Sequence, residues 1–473
     1  EILLQETPWV NDADRETEQK QRLADFFDEN LMGNRIDEAI KKLRALQKGD
    51  GSWSWWPGMD GSFYMTVSIS EMLTRLNVMA GKQQATDLML SNAFKFMGKE
   101  IVEDVKEMKK WEKEHGKDYG FPSFKALQYL YICALDGRKL PKDVQAANDY
   151  LIGKMKKDIK SQSIYEKALS AIILAKIGET KRSQEYAQSL KEYTVFTEEK
   201  GRYYDTQRAY YSWYDYKIPT EVMAIEALKV ITPEDEQTVE EMLRWLLQEK
   251  RTQAWDTPIN SVNAVYAFLF DNTKLLDAQE QNVLAIDGKP IELPKATAGI
   301  GYVKTAIDQP KGREFTAKKT STGTSWGALY AQFMQPTRDI EQSASGIKIK
   351  REVLDANGQQ LTANTLKVGD RIKVRITIES ERDLDFVQVL DRRAACMEPV
   401  NQLSGYRNGA YCSPKDNSTN YYFNMLPKGK RVIETEYYID RAGQYETGTC
   451  TIQCAYSPEY RATAPSMTIK VNE

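Results

Sequence analysis

The sequence predicts a multidomain α plus β protein: an α/α toroid of about six helical hairpins over residues 1–272, a small β region over 273–345, and a C-terminal antiparallel β-sandwich over 346–473. Three observations predict it. Apolar residues recur at three- and four-residue spacing through the first 272 residues, as in Met72, Leu73 and Leu76 or in Leu169, Ile172, Ile173 and Leu174. After Asn272 the period falls to two. From Ile347 onward, short alternating runs are separated by turn residues at the interval expected of a sandwich. A chain of 473 residues is also too long for one ordinary core.

In chain order, the helical pattern covers residues 14–29, 35–47, 63–76, 84–97, 100–114, 123–135, 142–157, 161–177, 181–193, 219–230, 233–249 and 258–270, which pair as six hairpins. Pro219 and Pro258 stand at helix starts, where the missing N–H has no helical partner to lose. Pro233-Glu234-Asp235 places carboxylates at another start, where the helix dipole favours them. The stretch LRALQKGDGSWSWWP, Leu43 to Pro57, ends the second helix. Leu43 and Gln47 share a helical face, Gly49-Asp50-Gly51 makes a tight turn, and Trp53, Trp55 and Trp56 follow in an extended segment. Residues 245–255, WLLQEKRTQAW, echo it loosely, with Gln248 seven positions before Trp255.

Residues 200–217 carry six tyrosines and Trp213. They read either as a loop across one mouth of the ring, offering aromatic faces to a ligand, or as a cap whose rings pack on helix ends. Together with the first stretch they give a candidate aromatic binding surface: Trp53, Trp55, Trp56, Tyr203, Tyr204 and Trp213. Beyond residue 272, QNVLAIDGKPIEL over 281–293 is a hairpin signal around Asp287-Gly288, with further strand-like runs at 298–307, 314–319 and 325–334. The sandwich strands are expected at 347–353, 371–380, 385–390, 421–425, 431–440, 445–456 and 466–471, with turns at Asp355-Ala356-Asn357-Gly358 and Lys367-Val368-Gly369-Asp370. Asp355-x-Asn357-Gly358 lacks the remaining ligands and terminal Glu of a calcium loop.

Composition narrows the function classes. Sixty-five Lys and Arg against 68 Asp and Glu leave no basic field for nucleic acid. No apolar run approaches the roughly 18 residues of a membrane span. The single His115 and the absence of any Cys-x-x-Cys argue against zinc, and no cofactor site is expected. The five cysteines, Cys133, Cys396, Cys412, Cys450 and Cys454, are an odd number; the spacing allows a Cys396–Cys412 disulfide, and buried free thiols fit equally well. Glu1 in place of Met, with no signal segment after it, reads as an excerpt of a longer or processed chain.

Several stretches of the sandwich resemble the C-terminal macroglobulin domain of bacterial α2-macroglobulin-like proteins: Val368-Gly369-Asp370-Arg371-Ile372-Lys373-Val374-Arg375, Asp383-Leu384-Asp385-Phe386-Val387, Met397-Glu398-Pro399-Val400, Ala442-Gly443-Gln444-Tyr445, and Cys454-Ala455-Tyr456-Ser457-Pro458-Glu459-Tyr460. Gln47 to Pro57 and Thr252 to Thr257 resemble the helix-joining segments of that family's thioester domain. The resemblance implies a thioester-type toroid, a CUB-like middle region and a macroglobulin sandwich. Its parent would be a secreted or envelope-anchored protein, periplasmic or at the cell surface, that traps proteases after a bait segment is cut. Implied partners are proteases, met through the full-length parent, and the upstream macroglobulin domains of the same polypeptide.

The family's thioester joins a Cys to a Gln three residues on, in Cys-x-Glu-Gln, to make an acyl group open to attack. Here the residues three after each cysteine are Asp136, Pro399, Lys415, Gln453 and Ser457, and Cys450 with Gln453 has Ile452 where the Glu belongs. The motif therefore either precedes Glu1 or is missing. Leu3 to Val10, LLQETPWV, resembles the run-in to the toroid of thioester-free members from gut Bacteroidetes, which favours the second reading. Without a thioester His115 has no transfer to direct. A carbohydrate-active toroid would use Trp53, Trp55, Trp56, Tyr204 and Trp213 as sugar platforms and Asp205, Asp215, Glu221 and Asp256 as acids; a surface binding module is the other alternative.

Overall fold

The structure is a computed structural model describing residues 29–82, 84–155, 162–198, 200–205, 217–252, 258–271, 282–293, 305–308, 311–319, 327, 329–330, 333–361 and 366–473, the side chains of 29–35 and 251–252 excepted. It divides into two compact units, one holding most of the helices and the middle strands, the other the sandwich.

Ten helices lie among the described residues: α1 Glu29–Leu46, α2 Phe63–Ala80, α3 Gln84–His115, α4 Phe124–Asp136, α5 Lys142–Met155, α6 Ile164–Lys176, α7 Thr180–Glu192, α8 Lys217–Ile231, α9 Glu236–Thr252 and α10 Pro258–Leu269. The even-numbered helices α2, α4, α6, α8 and α10 pack in series, each on the next, while α1, α3 and α5 form a second series outside them. Burial follows this division. Ile164–Leu174 of α6 and Ile218–Leu228 of α8 are almost wholly buried, whereas α7 buries only Ser183, Tyr186, Ala187 and Leu190. A helix that is apolar all round belongs between neighbours, and one with a single apolar stripe belongs at the rim.

Starts are set by local chemistry. Ser62, Ser123 and Ser163 cap α2, α4 and α6 through their hydroxyls, and Glu166 completes a capping box with Ser163. Gly137, at φ 67°, closes α4.

Among the described residues these ten helices stand for the twelve expected segments. The run at 14–28 lies outside the described residues, and the helices expected at 84–97 and 100–114 are one 32-residue helix, about 48 Å long at 1.5 Å per residue. Gly98 lies between the two expected segments, inside the single helix. It is a point of close approach: a Cβ there would meet Val144 Cγ2 at 3.1 Å and the Tyr129 hydroxyl at 3.3 Å. Gly98→Leu is accordingly expected to force α3 away from α4 and α5 and to cost about 1–3 kcal/mol by urea denaturation, whereas a mere linker glycine would tolerate it.

The middle region holds β3 Val283–Ile286, β4 Lys289–Pro290 and β5 Phe315–Lys318, in the order β4-β3-β5. Asp287 and Gly288, at φ 46° and 74°, form the expected hairpin turn. The described residues of 298–307 and 325–334 are not in strands; there Phe333 and Met334 are 78% and 101% exposed. An alternating pattern becomes a strand only where a partner strand takes up its hydrogen bonds.

The sandwich is built from two main sheets. One runs β12 (Gly405–Arg407), β13 (Ala410–Pro414), β14 (Ser418–Leu426), β10 (Leu384–Arg392), β17 (Cys450–Cys454), β18 (Arg461–Ala464), β6 (Ser343–Ser345); the other runs β11 (Met397–Pro399), β15 (Gly429–Ile439), β9 (Arg371–Ser380), β7 (Ile347–Asp355). Alternate residues of β7 and β9 point inward, and Ile349, Ile376, Val389, Phe423 and Ile452 share one core. A third, small sheet pairs β16 (Gly443–Glu446) with β19 (Thr468–Asn472), and β19 in parallel with β8 (Leu366–Lys367).

The strand expected over 445–456 is thus two strands in two sheets. Gly448, at φ 72°, makes the corner, where a Cβ would stand 2.7 Å from that of Arg392. Asp355 caps its own turn, accepting from the amides of Asn357 at 2.9 Å and Gln359 at 2.8 Å, which is turn chemistry and not metal ligation.

Candidate functional site

The stretch after α1 shows what Gln47 and Trp53 do. Gln47 Nε2 donates to the carbonyls of Gly51, 3.0 Å, and Met89, 2.8 Å, so it ties the turn to α3. Trp53 is 2% exposed; its indole N–H donates to Leu43 O at 3.0 Å, and its backbone N–H to Thr66 Oγ1 at 3.0 Å. Asp50 accepts from the amide and hydroxyl of Ser52, which hold its carboxyl below the ordinary range. Gly51, at φ 93°, leaves no room for a side chain: a Cβ would lie 2.1 Å from the carbonyl oxygen of Asn92. These residues clamp α1, α2 and α3 together.

Trp55 and Trp56 are the part of the stretch that faces outward, at 50% and 65% exposure. The Trp55 ring stacks on Tyr64, 5.5 Å between centroids and 8° apart, and Trp56 tilts against it at 6.3 Å. Met59 and Tyr64 extend the same exposed cluster.

The tyrosine-rich segment begins as a hairpin that the sequence reading passed over, β1 Thr194–Thr197 with β2 Gly201–Tyr204. The β-branched run Thr194-Val195 and Thr197, ending in a glycine turn, was the signal available. The hairpin is fastened to α9. Gly201 sits where a Cβ would lie 2.4 Å from Glu241 O, Arg202 pairs with Glu241 at 2.8 Å, and Tyr203 stacks on Trp245 at 5.9 Å and 9°. Tyr204 is 3% exposed, and burial pushes its phenol far up.

Of the six expected surface aromatics, then, Trp53 and Tyr204 are core residues, Tyr203 is half-buried on Trp245, Trp55 and Trp56 are exposed, and Trp213 lies outside the described residues. Among the expected acids, Glu221 is 1% exposed and Asp205 is exposed; Asp215 and Asp256 lie outside the described residues, as does Trp255.

All five cysteines are free thiols, so the Cys396–Cys412 bridge is not formed. Cys450 points into the core while Gln453 points out of the same strand, as residues three apart in a strand must, and they cannot be joined. His115 is exposed at the end of α3, its ring 4.4 Å from that of Trp111 and its Nδ1 2.8 Å from Trp111 O. A groove of about 500 Å³ on the sandwich is lined by Asn408, Lys430, Arg431, Val432 and Glu434; Glu434 pairs with Arg375 at 2.6 Å.

Two buried charged clusters escaped the sequence reading. In the helices, Arg75 of α2 stands between Glu71, 3.0 Å, and Glu226 of α8, 3.7 Å, and donates to Tyr131 at 3.1 Å and Asn263 at 2.6 Å. In the sandwich, Arg351 and Asp391 form an ion pair of 3.0 Å, 1% and 0% exposed. Each sits in an element with further charged residues, such as Lys348, Lys350 and Glu352 beside Arg351, so the sequence gives no sign of which charges are buried.

Residues 346–459 match the family model of the bacterial α2-macroglobulin MG10 domain. Among solved structures, the chain is similar to trypsin-activated α2-macroglobulin from Escherichia coli, at 13% identity and TM-score 0.43, covering 94% of this chain and 30% of that one. It is also similar to the E. coli protein activated by porcine elastase, at 14% and 0.42, covering 94% and 39%, and to Salmonella α2-macroglobulin reacted with methylamine, at 13% and 0.31, covering 90% and 27%. The chain thus spans well under half the length of these proteins. No curated protein sequence matches it.

Proposed function

We propose, from the match of residues 346–459 to the bacterial α2-macroglobulin MG10 model, that this chain is the non-catalytic C-terminal segment of a broad-spectrum protease inhibitor, which closes around a protease once its bait is cut. The segment acts by shape. Its helical unit takes the place of the family's thioester domain without a thioester of its own, 273–345 takes that of the CUB-like region, and 346–473 is the closing macroglobulin domain. The parent is placed in the periplasm or at the cell surface, and the segment's own partners are the parent's upstream domains. The MG10 match carries this reading. The clamp role of Gln47 and Trp53 supports it, since these residues join helices and leave the turn no catalytic duty.

The test uses the full-length parent with trypsin. Trapping is expected to leave trypsin active on a small chromogenic peptide and inactive on a large protein substrate, with the two proteins co-eluting. Methylamine treatment is expected to leave the intact mass unchanged. Trypsin that elutes free and digests the large substrate at its full rate would sink the proposal. A gain of one methylamine with one new thiol would put a thioester upstream of Glu1 and make the helical unit a covalent arm.

A second reading, a surface binding module, is favoured by the exposed stack of Trp55, Trp56 and Tyr64, because outward indole faces are costly to keep in water and are used where a partner covers them.

A further inference from the structure

The series of inner helices runs α2, α4, α6, α8, α10, and Arg75 bridges its two ends. This side chain, 4% exposed, starts on α2 and reaches Tyr131 of α4, Met223 and Glu226 of α8, and Asn263 of α10, with its guanidinium 4.6 Å from the centre of the Tyr266 ring. The seam is therefore polar, and its charge can be counted. The titratable and charged groups facing Glu226 are Arg75 and Glu71 from α2, Tyr131 from α4 and Tyr266 from α10, with Tyr165 of α6 facing Arg75. One cation stands among two carboxyls. With both ionised, a site closed to water would carry a net negative charge, which costs more than retaining a proton.

Geometry selects the carboxyl that keeps it. Glu71 makes the shorter ion pair, 3.0 Å, and its side chain is 11% exposed; Glu226 is 3.7 Å from the guanidinium and 1% exposed. Tyr131 accepts from Arg75 Nε at 3.1 Å and donates to Glu226 Oε2 at 2.7 Å, so Oε2 is an acceptor. Oε1 faces the Tyr266 hydroxyl at 3.2 Å, a contact that works with either group as donor.

We propose that Glu226 carries a proton on Oε1 in the closed ring, donated to Tyr266, and that releasing this proton loosens the seam where α2, α8 and α10 meet. The ring is thereby a pH-sensitive closure. Burial raises the Glu226 carboxyl above its ordinary range, in the direction that charge counting requires. A carboxyl that holds its proton more tightly when folded gives stability that is full below the unfolded value, about 4.3. That stability is lost as pH rises through the folded value, by up to tenfold in the folding constant per pH unit for one proton.

The test compares the full chain with Glu226→Gln, whose amide can donate to Tyr266 without titrating, and with Glu71→Gln, which leaves Glu226 as the sole counter-charge of Arg75. In the wild type, an infrared band of a protonated buried carboxyl is expected at neutral pH, and it should vanish in Glu226→Gln. It should also vanish in Glu71→Gln, where Glu226 ionises. Amide exchange in 63–80 and 258–269 is expected to quicken with pH, beyond its intrinsic rise, in the wild type and to lose that excess in Glu226→Gln. A wild-type spectrum that matches the Glu226→Gln spectrum in the carboxyl region at neutral pH would overturn the proposal, as would the same excess quickening in both proteins. If Glu226→Gln fails to fold, the Glu71→Gln spectrum decides alone: a band kept there overturns it.

Discussion

Arg351→Met is expected to destabilise the sandwich by about 3–5 kcal/mol, the usual cost of stripping a buried charge of its partner. Arg351 does three things for the core. It pairs with Asp391 at 3.0 Å, donates from Nη1 to Thr447 Oγ1 at 3.1 Å and Gly448 O at 2.8 Å, and donates from Nη2 to Arg392 O at 2.7 Å. It therefore fastens β7 to β10 and to the corner before β17. Burial raises the Asp391 carboxyl even with Arg351 beside it, so without the arginine the loss should grow as pH rises and the carboxyl is asked to ionise. Hydrogen exchange in Arg371–Ser380 and Leu384–Arg392 separates this effect from the helices. The double variant Arg351→Met with Asp391→Leu is expected to recover most of the loss, because no buried charge is then left unpaired. A single variant costing under about 1 kcal/mol would mean that apolar packing alone holds this corner.

The second large effect is expected at Gly51. Gly51→Val meets two obstacles, a φ of 93° that L side chains avoid and a Cβ position 2.1 Å from Asn92 O. The backbone conformation costs about 1–2 kcal/mol, and pushing α3 away about 1–3 more. The Gln47–Met89 bond should go with it, and the Trp53 indole should lose its apolar surroundings, so tryptophan emission shifts to the red as thermal stability falls. Gly49→Ala is the control. Nothing lies within 4 Å of a Cβ at Gly49, and its cost should stay within about 0.5 kcal/mol. Equal effects at the two glycines would show that the turn tolerates side chains and that the clamp lies elsewhere.

These cases mark what was legible in the chain. The period change after Asn272, the helix start at Pro258, the hairpin turn at Asp287-Gly288 and the alternation of Arg371–Ser380 are local statements, and each was readable because neighbouring residues alone enforce it. The division of α3 into two expected helices shows the opposite case. A glycine that breaks a helix and one that admits a neighbouring side chain look identical until Val144 and Tyr129 are placed. The same holds for the aromatic residues. Trp53 and Trp55 differ by two positions and carry the same ring, yet one fills the joint among three helices and the other stands half in water.

By itself the sequence determined the order of helices, middle strands and sandwich strands, the absence of a Cys-x-Glu-Gln motif, and the turn chemistry between elements, because all of these depend on spacing of a few residues. Only the tertiary structure decided which aromatic rings are surface, which glycines are contacts, that the five thiols remain free, and that Arg75 and Arg351 each meet a carboxyl far away in the chain. A buried charge is tolerated only when its partner is brought to it. Here the partners are separated by 151 residues in the helices, Arg75 to Glu226, and by 40 in the sandwich, Arg351 to Asp391. No local pattern records such a pairing, since its energy exists only once water has been excluded from both ends.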